Sequence, residues 1–410
     1  MATGTPRTKS PASLPAISTL PDLTRQTDIL PMAVSKGLLI FPIFKDLNSS
    51  DGVIVKNEGI RKGFQKNGVD IDVLEFNTRG VFNRGKQVYT FAPGRYRRTW
   101  QYWFGAWSSI LDNVGADQYE FVWFRLSLNL IFTGTVARFL KKLKQRYPNV
   151  KVVLEYGAYP FDAELTKQQA LVYRLRKGQL PAMHRSTDFV ITYSGQERVD
   201  HLENIPINNG IELDTIPVNP PGATLKDGVR FISVSSLKKW HAYERFIEGM
   251  PAYLARPDAV PIHFDVVGNG PEYDKLASLV AALKLEKHVS FLGHQNGAGL
   301  DAIYERNHVA IGTLGFHRIG ISNSSSLKNR EYFARGLPIV LSTKDLDMPA
   351  TCPYVQYVPE GEAPLDIASV VAFAQQVYQT PDLARTIRAY AENTISWTSK
   401  IRTVLEYLNR

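Results

Sequence analysis

The sequence predicts an α/β protein of two doubly wound domains, and three observations carry that reading. Short apolar runs alternate with helical stripes along almost the whole chain. The alternation breaks once, at Val218-Asn219-Pro220-Pro221-Gly222, where proline and glycine interrupt any period and a new strand follows. The length, 410 residues, exceeds one ordinary core and suggests two or three units of about 150 residues.

In chain order, the first half supplies predicted strands at 38–41, 71–76, 119–124, 152–156 and 189–193. The second half supplies 229–234, 262–267, 289–292, 309–312 and 339–341. Most are continuous apolar runs, the pattern of strands covered on both faces of a parallel sheet. Between them, Tyr243, Phe246, Ile247, Met250 and Leu254 recur at helical spacing, as do Leu276, Leu279, Val280 and Leu283. Ile401, Val404, Leu405 and Leu408 form a last stripe after Ser396-Trp397. Alternating strands and helices with right-handed crossovers build doubly wound sheets, which bind ligands at the carboxyl ends of their strands. The expected division is a leader over 1–35, a first domain over 36–217, a second over 223–394 and a terminal helix over 395–410. Residues 2–35 are rich in Pro, Ser and Thr and lack the apolar run of a secretory signal. They read as a disordered leader.

The chain is 44% hydrophobic and 21% charged, ordinary for a globular protein, and has no apolar run of about 18 residues. Its single cysteine, Cys352, excludes an internal disulfide and a thiolate zinc cluster and fits a reducing, cytoplasmic setting. The eight histidines show no ligand spacing, so no metal is expected. The net charge of +9 fits nucleic acid, an anionic membrane face or phosphorylated small molecules. No nucleic-acid motif appears, and no nucleic-acid partner is expected.

The most informative run is Ser324-Ser325-Ser326-Leu327-Lys328-Asn329-Arg330-Glu331, which continues to Gly336-Leu337-Pro338. Small polar residues open a short helix that the Gly-Leu-Pro ends. A helix N-terminus offers free N–H groups and a positive dipole end, which suit a diphosphate. Glu331 lies about two turns in, within reach of ribose hydroxyls. The plainer alternative is an N-cap cluster with a surface glutamate.

This run resembles the donor-binding stretch of glycosyltransferase family 4. Asn209-Gly210-Ile211-Glu212, Val267-Gly268-Asn269-Gly270-Pro271-Glu272, Phe291-Leu292-Gly293-His294 and Ser396-Trp397 resemble further marks of that family, in order over 205–410. The resemblance implies a GT-B fold, α/β with two Rossmann-like doubly wound domains facing across a cleft and a C-terminal helix crossing back to the first. It implies retaining, metal-independent, front-face transfer of a hexosyl-type group from a nucleotide-diphosphate sugar to a glycan or lipid-linked acceptor, as in capsular and exopolysaccharide enzymes. The sugar nucleotide is substrate, and no cofactor is implied. A sugar-nucleotide epimerase and a catalytically inactive partner subunit are the alternatives.

The implied donor residues are Glu331 at the ribose, backbone amides of Ser324, Ser325, Ser326 and Leu327 at the diphosphate, and Gly293 and His294 beside the base. Arg318 is a further candidate. Asn323 stands where the family often has an acid, and its amide still reaches a sugar hydroxyl. Ser236 and His241 stand where the family has Arg and Lys, so Lys238 and Lys239 between them become the expected cations for the leaving diphosphate. The alternative is two solvated lysines, with His241 either donating to phosphate or capping a helix.

In the first half, Gly52 ends a loop resembling the acceptor-side loop, and 154–164 resembles an acceptor-facing stretch of exopolysaccharide members. Glu155 and Asp162 are catalytic candidates, and Arg125, Tyr159 and Glu164 acceptor-side ones; helix capping is the alternative. Asp70-Ile71-Asp72 and Asp345-Leu346-Asp347 mimic a metal-binding triplet but read as a strand start and a loop. Gly268-x-Gly270 lacks the third glycine of a dinucleotide fingerprint, so no NAD is expected. Residues 95–107 interleave cations with aromatics, and Lys141, Lys142, Lys144 and Arg146 follow. Such a surface suits an anionic membrane, here a peripheral contact at its inner face. The alternative is a core helix with charged ends.

Overall fold

A computed structural model describes residues 34–47, 52–115, 118–126, 130, 134–157, 177–193, 195–220 and 224–410. The expected leader lies outside the described residues except for Val34 and Ser35. Both are tied down, Val34 N–H donating to Asn409 Oδ1 at 3.1 Å and Ser35 N–H to Glu120.

The first sheet holds β1 (Lys36–Phe44), β2 (Asp70–Asn77), β3 (Gly80–Asn83), β4 (Lys86–Thr90), β5 (Phe121–Leu126), β6 (Lys151–Tyr156), β7 (Phe189–Ile191), β8 (Arg198–Val199) and β9 (Leu202–Asn204). Their order is β4-β3-β2-β1-β5-β6-β7-β9-β8, and all strands run in one direction except β3 and β8. Central β5 is buried along its whole length, as a strand with two covered faces must be.

The second sheet is β10 (Val229–Val234), β11 (Ile262–Val267), β12 (Val289–Phe291), β13 (Val309–Ile311), β14 (Ile339–Leu341) and β15 (Val355–Tyr357). It runs β12-β11-β10-β13-β14-β15, with each neighbouring pair parallel. The Phe246, Ile247 and Met250 stripe lies in one core cluster and Tyr332, Phe333 and Ile387 in another. Each fully buried side chain of this size contributes about 1.5–3 kcal/mol, so these stripes rather than helix propensity hold the helices on the sheet. All strands being parallel, the loops that follow them gather at one carboxyl edge.

The terminal helix Trp397–Leu408 buries Trp397, Ile401, Val404, Leu405 and Leu408, and Ser396 Oγ caps it by accepting Ser399 N–H. It crosses back to the first sheet. Leu408 O accepts from Lys151 Nζ at 2.8 Å, and Tyr407 meets Phe189 edge-on. Trp397 lies so close to the helix Gly52–Lys66 that a Cβ at Gly59 would stand 2.2 Å from its ring. The linker joins in, Ile211 N–H donating to Ile395 O and Trp397 N–H to Ile211 O.

Candidate active site

At the carboxyl edge of the second sheet, the loops after β10 and β11 touch. Gly268 makes this approach at φ 119°, and a Cβ there would stand 1.9 Å from Ser235 O. Gly268-x-Gly270 therefore serves loop packing. The loop after β13 ends at Ser326, the extended N-cap of helix Leu327–Ala334, which has no side-chain cap. Ser324 N–H donates to Lys344 O at 2.8 Å. Ser325 is pinned from the linker, its Oγ accepting Asn209 N–H at 2.8 Å and its carbonyl accepting Asn209 Nδ2 at 3.2 Å. Among the described residues, the N–H groups of Ser326, Leu327 and Lys328 have no acceptor. A rigidly held loop thus presents open donors at a positive helix end.

Lys328, on the helix that carries these donors, and Lys238 both lie near His241. His241 Nδ1 accepts Lys238 N–H at 3.2 Å, which leaves the ring proton on Nε2. Burial first, then the Lys328 and Lys238 ammoniums, push the His241 pKa down to about 2, so the ring is neutral. His241 stacks on Tyr243, with centroids 5.4 Å apart. Tyr243 OH lies 3.0 Å from Ser235 Oγ and accepts from Lys328 Nζ at 3.0 Å.

Two expected donor-side cations have other tasks. Arg318 pairs with Glu244 at 2.6 Å and with Glu362, and donates to Lys239 O, so its fork is filled by protein. Lys239 lines a surface pocket with Glu248, Lys275 and Arg318, on the flank of helices Glu244–Leu254 and Tyr273–Ala282. Glu331 is half-buried. Its Oε1 accepts Arg335 Nε at 3.2 Å, and the buried Tyr304 hydroxyl lies beside the carboxylate. Asn323 is exposed, its backbone bridged to Lys344. Gly293 O accepts Gly268 N–H at 2.7 Å, and His294 beside it is exposed.

In the first sheet, among the described residues, Glu155 and Arg125 are enclosed in an internal ion cluster. Glu155 is fully buried and accepts from Trp123 Nε1 at 2.8 Å, from Tyr193 OH at 2.7 Å and from Arg125, with Lys56 Nζ at 3.4 Å. Burial favours its neutral form, but the Arg125 and Lys56 charges and the hydrogen bonds prevail and hold the pKa at about 2. Burial pushes Lys56 down to about 7 against the pull of Glu155. Gly52 opens the helix Gly52–Lys66, and Tyr159, Asp162 and Glu164 lie outside the described residues. The two aspartate pairs bind arginines. Arg84 joins Asp70 and Asp72, and Arg330 joins Asp345 and Asp347.

The 95–107 segment divides. Tyr102 and Trp107 enter the core, whereas Tyr96, Trp100, Trp103 and Phe104 are exposed, Tyr96 to 89% and Trp100 to 61%. A π-helical turn, Gln101–Gly105, separates helices Arg95–Trp100 and Ala106–Val114.

Residues 221–349, which run from before β10 to beyond β14, match the family described as glycosyl transferases group 1. A search of the curated proteins finds no match. Among solved structures, the chain is similar to the catalytic domain of starch synthase IV from Arabidopsis thaliana, bound to ADP and acarbose. That likeness has a TM-score of 0.57 and 10% identity, covering 92% of this chain and 98% of that one. Anabaena HepE in complex with UDP gives 0.54 and 13%, over 91% and 99%. Sucrose-phosphate synthase from Thermosynechococcus elongatus gives 0.54 and 15%, over 91% and 98%. The fold is GT-B, with two Rossmann-like parallel-sheet domains. Fold and family match together support a GT-B glycosyltransferase.

Proposed function

We propose that the chain is a retaining glycosyltransferase of family 4, hexosyl-type and metal-independent, acting on a nucleoside-diphosphate sugar and a glycan or lipid-linked acceptor. The observation that carries this reading is the row of open N–H groups at Ser326–Lys328, which lies inside the matched segment. HepE is solved with UDP and with UDP-glucose, and starch synthase IV with ADP, so donors of these classes head the panel to test.

The Glu331 carboxylate accepts from the ribose hydroxyls, the amides from Ser326 onward bind the diphosphate, and Asn323 faces the sugar. Gly293 and His294 border the base. In the reaction the bond from the anomeric carbon to the phosphate oxygen breaks, and its electron pair leaves with the diphosphate. The acceptor hydroxyl oxygen bonds to the same face, and its proton passes to the departing phosphate oxygen. A double displacement needs a carboxylate against the anomeric carbon. Glu155, enclosed by Trp123, Arg125, Tyr193 and Lys56, does not meet that need. The test is release of nucleoside diphosphate from a panel of nucleotide sugars. An epimerase would instead interconvert the sugar nucleotide, and an inactive subunit would release nothing.

The exposed Tyr96, Trp100, Trp103 and Phe104, beside Arg95 and Arg97, support a peripheral contact with an anionic membrane face. Each basic residue near such a surface adds about 1 kcal/mol and is screened by salt. Sedimentation with phosphatidylserine vesicles should therefore fall as salt rises and fall further in Trp100→Ala/Trp103→Ala. Wild-type protein that stays in the supernatant at low salt would remove this part of the proposal.

A further inference from the structure

A diphosphate on the open N–H groups needs a fixed positive charge where its own charge grows on departure. Of the cations nearby, Arg318 is filled by Glu244 and Glu362, and Lys239 faces the flank pocket. Lys238 lies over the Trp240 ring at 5.1 Å. Lys328 differs from all three. It stands in the first turn of the very helix whose N–H groups are open, at the positive end of the dipole, where a cation is disfavoured. Among the described residues no carboxylate within 4.0 Å offsets it, and its ammonium is steered by a neutral oxygen, Tyr243 OH at 3.0 Å. An ammonium with three N–H donors that gives one to Tyr243 keeps two for a ligand. Positive potential is thus concentrated without an anion, which is the state of a site built to receive one.

We propose that Lys328 is the side chain that binds the donor diphosphate and takes up its developing charge, with His241 Nε2–H as a second, neutral donor. This rests on the nucleotide-sugar reading above and names the group that serves it. As the anomeric carbon–oxygen bond breaks, the electron pair moves onto the diphosphate oxygen, and the Tyr243-held ammonium meets that charge without reorganising. Lys238 and Lys239, the pair expected from the sequence, are not the principal cations.

Calorimetric titration with inorganic pyrophosphate, which is indifferent to base and sugar, tests this, with UDP and ADP as further probes. The wild type binds pyrophosphate, and Lys328→Met weakens binding roughly ten- to a hundredfold, the range of hydrogen bonds to charged groups. Lys328→Arg retains most of the affinity, and Lys239→Met leaves it unchanged. Circular dichroism checks each fold, and Lys328→Gln replaces the methionine variant if that one unfolds. Wild-type affinity in a folded Lys328→Met or Lys328→Gln protein overturns the assignment while the nucleotide-sugar reading stands. A wild type that binds neither pyrophosphate nor either nucleotide overturns that reading and the assignment with it.

Discussion

The two halves of the molecule each bury an arginine beside a lysine, and each cluster meets the terminal helix. In the first half, Arg125 and Lys56 share one carboxylate, Glu155, and Lys56 lies 3.5 Å from the Tyr193 ring centroid and 5.9 Å from that of Trp397. In the second, Arg330 pairs with two, Asp345 and Asp347, Lys400 shares Asp347, and Arg330 Nε also donates to Asn209 O. The balanced cluster joins the helix Leu327–Ala334, the linker and the terminal helix. The unbalanced cluster holds a surplus cation in a dry place, and burial pushes Lys56 down to about 7. Burial lowers both lysines, and the single carboxylate of the first cluster, shared with Arg125, offsets it less for Lys56.

Breaking the balanced cluster should have the largest effect. Arg330→Met leaves Asp345 and Asp347 facing Lys400 alone, and removing one partner of a buried ion pair destabilises by about 3–5 kcal/mol. Urea unfolding measures this. A loss under about 1 kcal/mol would mean that the cluster is hydrated in solution and not buried as seen.

The second change depends on pH. The folded pKa of Lys56 is lowered, whereas the unfolded chain keeps an ordinary lysine near 10.4. Between about pH 7 and that value the unfolded state binds the extra proton, so stability rises with pH, by at most about 1.4 kcal/mol per unit for one proton. The burden is fully present below pH 7. Glu155, held at about 2, works on the other side, its contribution complete above the ordinary carboxylate value and lost as pH falls toward 2. Lys56→Met should flatten the alkaline rise relative to wild type in denaturant titrations at stepped pH. Parallel wild-type and mutant profiles would show that Lys56 keeps its ordinary pKa.

The contrast also marks what the sequence could disclose. The apolar runs located β1, β2, β5, β6, β7 and β10 through β14, because burial on both faces demands continuous hydrophobicity. The β3–β4 hairpin escaped, since its turn uses Arg84 at φ 50° and Gly85 at φ 76° in place of the Asn-Gly that usually announces two left-handed residues. β15, Val355-Gln356-Tyr357, is a half-buried edge strand with a polar residue at its centre and so gives no continuous apolar run. The open amides after Ser324-Ser325-Ser326 were legible as a helix start following small residues. Lys328 was not, because its meaning lies in Tyr243, 85 positions away. Glu155 and Arg125 show the same limit. A carboxylate at a strand end reads as an open functional group until its partners from 56, 123 and 193 close around it.

The central claim is retaining transfer from a nucleoside-diphosphate sugar held at the carboxyl edge of the second sheet. The most direct measurement follows the wild-type protein, by proton NMR, with each donor of the panel and a glycan or lipid-linked acceptor. It reads both the released nucleoside diphosphate and the configuration at the transferred anomeric carbon. The account predicts release of diphosphate with one donor class and a product whose anomeric configuration equals that of the donor. A product of opposite configuration would contradict retention, and a folded protein that releases nothing from any donor would contradict the transferase itself.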